Sequence, residues 1–199
     1  MNIQEGHQII EKSLLDGRGS PLPILANLAG FLNQQFTKNN IKINWCGFYI
    51  VNKNKTALVL NNFSIGLPAC VRLNLDINFI SHKLQASNTK ITKISKINFN
   101  QVRPLFGVCA AGILEEESIY VENVHKYPGH IACDDASNSE LVVPILDSNG
   151  NYIAVLDIDS PEVGGIGDLE FRESIEKVIS FVNDFADEID WNSLRNTLR

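Results

Sequence analysis

Between residues 24 and 36 the apolar residues Leu25, Leu28, Ala29, Leu32 and Phe36 recur at three- and four-residue intervals. This spacing predicts a helix that lays one face on a core. Pro23 suits its first turn. Residues 1–22 are mixed and close on Gly17-Arg18-Gly19-Ser20-Pro21, which predicts a short helix and then a loop. From residue 44 to 51 the strand formers Trp45, Phe48, Tyr49, Ile50 and Val51 take over. Asn52-Lys53-Asn54-Lys55 is a turn, and residues 57–60 return as the second arm of a hairpin. Residues 63–72 read as a loop leading into a short strand, the small residues from Gly107 to Gly112 as the opening of a helix, and 118–124 as a strand. Residues 139–146 and 152–159 flank Asn149-Gly150, a strong hairpin signal. Residues 160–167 form a glycine-rich loop, and Asp168 suits the N-cap of a last helix. Its stripe runs through Ile175, Val178, Ile179, Val182, Phe185, Ala186 and Ile189 as one continuous helix on the sheet. The order gives an α+β domain.

Residues 74–103 break this order. Fourteen of the thirty are Asn, Ile or Lys, none is Gly, and no amphipathic period is visible. A surface insertion is expected there. The other segments form one domain spanning the 199 residues, with a core at about 24–188. The net charge of −6 argues against a nucleic-acid or anionic-membrane partner. No apolar run reaches the ~20 residues that cross a bilayer. The first residues lack the basic-then-apolar order of a signal peptide, so the cytoplasm is the expected compartment.

Candidate chemistry gathers around Tyr127-Pro128-Gly129-His130-Ile131-Ala132-Cys133-Asp134. Pro128 and Gly129 make a loop, and the loop sets a thiol among polar groups, seven residues ahead of Glu140 at a strand mouth. A reactive thiol and a structural one both fit that spacing. Asp157 and Asp159 leave one face of their strand, and across the hairpin Glu140 can join them. Gathered carboxylates raise the pKa of at least one; solvated acids at a strand end fit equally. Trp45 and Tyr49 share a face with Gly47 between them, either as plain core or as a slot that makes one wall of a pocket for a small apolar group. The four cysteines, Cys46, Cys70, Cys109 and Cys133, include no C-x-x-C pair, and no metal site is expected. Cys46 is out of phase with Trp45 and Tyr49 and is expected to face the core.

Trp45-Cys46-Gly47-Phe48-Tyr49, Pro68-Ala69-Cys70-Val71-Arg72, Gly107-Val108-Cys109, the stretch around Cys133, Ser139-Glu140-Leu141-Val142-Val143-Pro144-Ile145 and Leu156-Asp157-Ile158-Asp159-Ser160 occur in this order. Together they resemble the free methionine-(R)-sulfoxide reductases, which are GAF-type domains with a central antiparallel sheet flanked by helices. The resemblance spans about residues 24–188. It implies that Cys133 is the nucleophile and that Cys70 and Cys109 are the thiols that resolve it. It places Trp45 and Tyr49 around the substrate methyl group. Glu140, Asp157 and Asp159 fall around the sulfoxide and the ammonium end, and backbone amides near Cys133, at Ile131 and Ala132, take the carboxylate. It further implies a homodimer, recycling by thioredoxin, no metal or organic cofactor, and a role in repairing free methionine under oxidative stress. Two departures stand out. The family keeps its two resolving cysteines close in sequence, whereas thirty-eight residues separate Cys70 from Cys109 here. After Cys109 the family usually has Gly-Thr-Ala, and this chain has Ala110-Ala111-Gly112.

Two other functions compete. A GAF-type small-molecule-binding module, its turnover lost to the insertion, would need neither three matching cysteines nor the acid set. A Cys–His hydrolase built on His130 and Cys133 would need the two groups to face each other and an oxyanion hole.

Overall fold

The computed structural model describes residues 1–66, 70–75 and 107–198, with the side chains of 62–65 left aside. Six strands form one antiparallel sheet: β1 (Trp45–Val51), β2 (Ala57–Ile65), β3 (Arg72–Asn74), β4 (Ile119–Val121), β5 (Ser139–Leu146) and β6 (Tyr152–Ser160), in the order β3-β2-β1-β6-β5-β4. The α+β class and the antiparallel sheet agree with the sequence. β1 is buried along its whole length, because both faces of the sheet are covered.

One face carries α1 (Ile3–Gly17), α2 (Pro21–Lys38), α4 (Leu169–Asp184) and α5 (Trp191–Arg195). Leu25, Leu28, Leu32 and Phe36 of α2 meet Cys46, Phe48 and Ile50 of β1 and Ile175, Val178 and Val182 of α4 in a single apolar layer. Asp168 caps α4, accepting from the Phe171 amide at 2.9 Å. The other face carries α3 (Gly107–Glu115) and a second, smaller apolar cluster with Trp45, Tyr49, Cys109, Val142 and Val155. Gly112 accounts for the small-residue run: a Cβ there would stand 2.8 Å from Val142 Cγ1, so α3 lies close on β5 only because the position is bare.

Several expectations give way. Residues 1–22 hold a fifteen-residue helix, α1, whose N-cap Asn2 accepts from the Glu5 amide. β2 continues to Ile65, past the expected loop start at residue 63. β4 is three residues long, and a 3-10 turn at Val124–Lys126 replaces the rest of the expected strand. The terminal stripe is not one helix. α4 stops at Asp184, a 3-10 turn follows, and Asp190 donates its amide to Gly19 O at 2.8 Å while its side chain caps α5. Tethering to the α1–α2 loop bends the chain, and Phe185 and Ile189 still reach the core around the bend. Asn74 pairs with Ala57 in the sheet and Leu75 is buried, so the first two residues of the expected insertion belong to the domain; residues 76–103 lie outside the described residues. Among the described residues no helix is long and apolar enough to cross a membrane.

Cys46 is fully buried in the helical layer, on the face away from Trp45 and Tyr49, as its phase in the strand requires. Burial first, and then Asp157 and Asp159, push its thiol far up, out of reach of ionisation at neutral pH. Cys46→Ala is expected to cost about 1–2 kcal/mol of stability in denaturant unfolding. An unchanged unfolding midpoint in that variant would contradict this.

Candidate active site

The sheet register brings the acids together. Glu140 of β5 stands opposite Asp159 of β6, and Val142 opposite Asp157. On the other side of β6, Trp45 pairs with Asp159 and Gly47 with Asp157. Residues 140, 157 and 159 therefore share one face, and Gly47 leaves the position beside Asp157 bare. α3 sits over them and lowers Cys109 onto the acids: its Sγ donates to Glu140 Oε1 at 3.8 Å. Donor atoms of Cys109, Glu140 and Asp157 all lie within 4.8 Å of one another.

The loop before β5 closes the site. The Gly107 amide at the start of α3 donates to Gly129 O, which ties loop to helix. Asp134 accepts from the Ala136 amide and from Asn44 Nδ2, and these bonds, the amide first, hold its carboxyl below the usual range. The loop is thereby pinned to the start of β1. His130 turns inward, its Nε2 3.5 Å from Glu140 Oε2. Cys133, half-buried, is joined by a disulfide to Cys70, with Cα atoms 5.1 Å apart. The Cys70 carbonyl accepts from the Tyr49 hydroxyl at 3.0 Å, so the segment carrying Cys70 is held against β1.

Burial dominates the electrostatics. It is the largest cause lifting Glu140 and Asp157 well above the carboxylate range and Asp159 to about 9; the neighbouring carboxylates add to it. Two unit charges 4.8 Å apart repel by about 3–4 kcal/mol at an effective dielectric of 20, which is more than two pH units. Glu140 and Asp157 therefore do not ionise together at neutral pH. Burial also lowers the pKa of His130, which faces Glu140. The Cys109 thiol, 5% exposed, is pushed well above its ordinary value, again mainly by burial. Trp45 Nε1 donates to Asp157 Oδ2 at 3.0 Å, while among the described residues no hydrogen bond reaches Asp157 Oδ1.

The aromatic pair departs from the expected slot. The ring centroids are 6.3 Å apart at 50°, less than the roughly 7–8 Å that a methyl group between two ring faces needs. Trp45 and Tyr49 form a continuous wall beneath the acids. Ile131 and Ala132 lie exposed on the rim. Larger grooves lie elsewhere, one of about 430 Å³ between α1 and α2 and one of about 460 Å³ beside Ile3, His7 and Phe181. The cleft lined by Cys109, His130, Cys133, Glu140, Asp157 and Asp159 is only about 20 Å³ with the disulfide in place, room for one water molecule. Chemistry selects the cleft. Of the residues expected from sequence, Cys70, Cys133, Cys109, Glu140, Asp157 and Asp159 come together, with Trp45 and Tyr49 beneath. His130 and Ser137 also line the cleft. His130 stood in the sequence as a hydrolase base for Cys133; its inward turn onto Glu140 depends on the loop's path.

Asp159 makes stability depend on pH. Its pKa is near 3.9 in an unfolded chain and about 9 in the fold. The fold holds a proton that the unfolded chain has lost, so this contribution is complete below about pH 4 and disappears as pH rises towards 9. Thermal unfolding of the oxidised protein is expected to fall by several degrees between pH 5 and pH 8. Asp159→Asn should flatten the fall and raise the midpoint at pH 8. An unchanged slope in that variant would refute the assignment.

No protein-family model matches the chain. It is 34% identical over 168 residues to a free methionine-R-sulfoxide reductase of Escherichia coli, covering 84% of this chain and 79% of the relative. It is 30% identical over 182 residues to the free methionine-R-sulfoxide reductase of Saccharomyces cerevisiae, covering 87% and 84%. The fold matches that of GAF domains, with a TM-score of 0.64 and 28% identity to one such structure over 90% of this chain and 88% of the other. A structure described as fRMsr of Staphylococcus aureus in complex with substrate aligns at a TM-score of 0.62 and 27% identity, over 92% and 94% of the two chains.

Proposed function

This chain belongs to the free methionine-R-sulfoxide reductases, and from that premise we propose that it reduces free L-methionine-(R)-sulfoxide to methionine with Cys133 as nucleophile. The observation that carries the assignment is the Cys70–Cys133 disulfide at the mouth of a cleft lined by Glu140, Asp157 and Asp159. Relatives that act on, or are solved with, this substrate class support the reaction.

The Cys133 thiolate attacks the sulfoxide sulfur while a buried acid, Glu140, donates a proton to the departing oxygen. The protonated oxygen passes to the Cys133 sulfur as the bond from Cys133 to the methionine sulfur breaks, so methionine leaves reduced by two electrons and Cys133 becomes a sulfenic acid, oxidised by two. The Cys70 thiol condenses with it, water leaves, and the disulfide forms. A dithiol of the thioredoxin type then reduces the disulfide by exchange and is itself oxidised. Cys109 is the poorer attacker: it is buried and its thiol is held protonated. Trp45 and Tyr49 offer the wall for the methyl group, Asp157 and Asp159 face the ammonium end, and amides of the rim at Ile131 and Ala132 take the carboxylate. The step needs neither metal nor organic cofactor. The working form is a cytoplasmic homodimer that repairs free methionine. The narrow cleft fits an oxidised form that must be reduced before substrate enters.

The deciding assay is methionine release with dithiothreitol, given the R epimer, the S epimer and a peptide-bound sulfoxide. Turnover of the free R epimer alone supports the proposal. A binding module would hold the sulfoxide and release no methionine. Cys70→Ser is expected to leave one rapid turnover per enzyme and to slow thioredoxin-linked cycling by about tenfold or more, with Cys133 trapped by dimedone. Unimpaired cycling in that variant would shift the resolving role to Cys109.

A further inference from the structure

We propose that Cys109, Glu140 and Asp157 form a binding site for one thiophilic divalent cation of the zinc type. The donor set is a thiol and two carboxyls, all within 4.8 Å of one another and all buried. Tetrahedral zinc with sulfur at ~2.3 Å and oxygen at ~2.1 Å sets its ligands about 3.6 Å apart. The Cys109 Sγ to Glu140 Oε1 separation of 3.8 Å is already close to that edge. The second observation is Asp157 Oδ1. Asp157 is 5% exposed and lines the cleft, yet among the described residues no hydrogen bond reaches this oxygen. A cation between the three groups would satisfy it. His130 lines the same cleft, and its Nε2 is 3.5 Å from Glu140 Oε2.

The site would not serve the reaction. A cation there fills the cleft and removes both the acid and a thiol, so it inhibits. Coordination by the thiol releases its proton to solvent, and binding tightens as pH rises.

The oxidised protein gives a clean test, because among the described residues the free thiols are Cys109 and Cys46, and Cys46 lies on the opposite face of the sheet. Cobalt(II) is titrated into the full, disulfide-bonded chain. A thiolate-to-cobalt charge-transfer band in the near ultraviolet is expected at one cobalt per chain and is displaced by zinc. Cys46→Ala should keep the band and Cys109→Ser should lose it. Asp157→Asn and Glu140→Gln should each weaken cobalt binding by about tenfold or more. Circular dichroism reports whether each variant is folded; if Cys109→Ser is not, the two carboxyl variants decide. No band at millimolar cobalt, a band that survives in folded Cys109→Ser, a band lost in Cys46→Ala, or full affinity in both carboxyl variants would overturn the site. The readout needs no turnover, so it stands apart from the reductase assignment.

Discussion

Cys133→Ser is expected to reduce methionine formation from the free R sulfoxide by at least about a thousandfold, because a hydroxyl at neutral pH is almost wholly protonated whereas a thiol is partly ionised. The structure offers three other thiols, and each is a poorer candidate. Cys46 is sealed on the far side of the sheet. Cys109 faces the acids but is buried, and burial and the acids keep it protonated. Cys70 is half-buried like Cys133, but it lies on the segment that Tyr49 ties to β1, whereas Cys133 stands on the loop that lines the cleft. Amino-acid analysis of the reaction mixture, with dithiothreitol as reductant, measures the effect. Activity within tenfold of wild type in the serine variant, or a chemical step abolished by Cys109→Ser but not by Cys133→Ser, would move the nucleophile.

Glu140→Gln is expected to lower kcat by about 10²–10⁴-fold while changing substrate affinity little, the range for loss of a positioned general acid. Glutamine keeps the shape and can donate a hydrogen bond, yet it has no proton to give. Glu140 is 6% exposed, and its pKa is raised well above the carboxylate range, so it enters the reaction protonated. The sign of the pH dependence follows. The acid must hold its proton, so the wild-type rate falls on the alkaline side as pH rises through the elevated pKa, while protonation of the Cys133 thiolate lowers it on the acid side. In Glu140→Gln that alkaline fall should disappear along with most of the rate. Single-turnover measurements from pH 6 to 10 separate the two outcomes. A variant that retains both the rate and the fall would transfer the proton-donating role to Asp157 or Asp159, which carry raised pKa values for the same reason.

The local periodicities of this chain announced most of its elements. Leu25, Leu28, Leu32 and Phe36 recur as only a helix face recurs, and Asn149-Gly150 between two β-branched runs has few conformations besides a hairpin. The phase of β1 alone put Cys46 on one face and Trp45 with Tyr49 on the other, since side chains alternate strictly along a strand. The motif around Cys133 carried the family resemblance and, with it, the candidate residues. Contacts distant in sequence escaped this kind of reading. Ending α4 at Asp184 depends on a bond from Asp190 to Gly19, which no local pattern contains. The closing of Trp45 and Tyr49 to 6.3 Å follows from packing beneath the acids. His130 turns onto Glu140 because the loop is pinned at Gly107 and Asn44, two segments far away in the chain. The elevated pKa values belong wholly to the fold: spacing can gather carboxyls, but only burial between α3 and the sheet removes the water that would let them ionise.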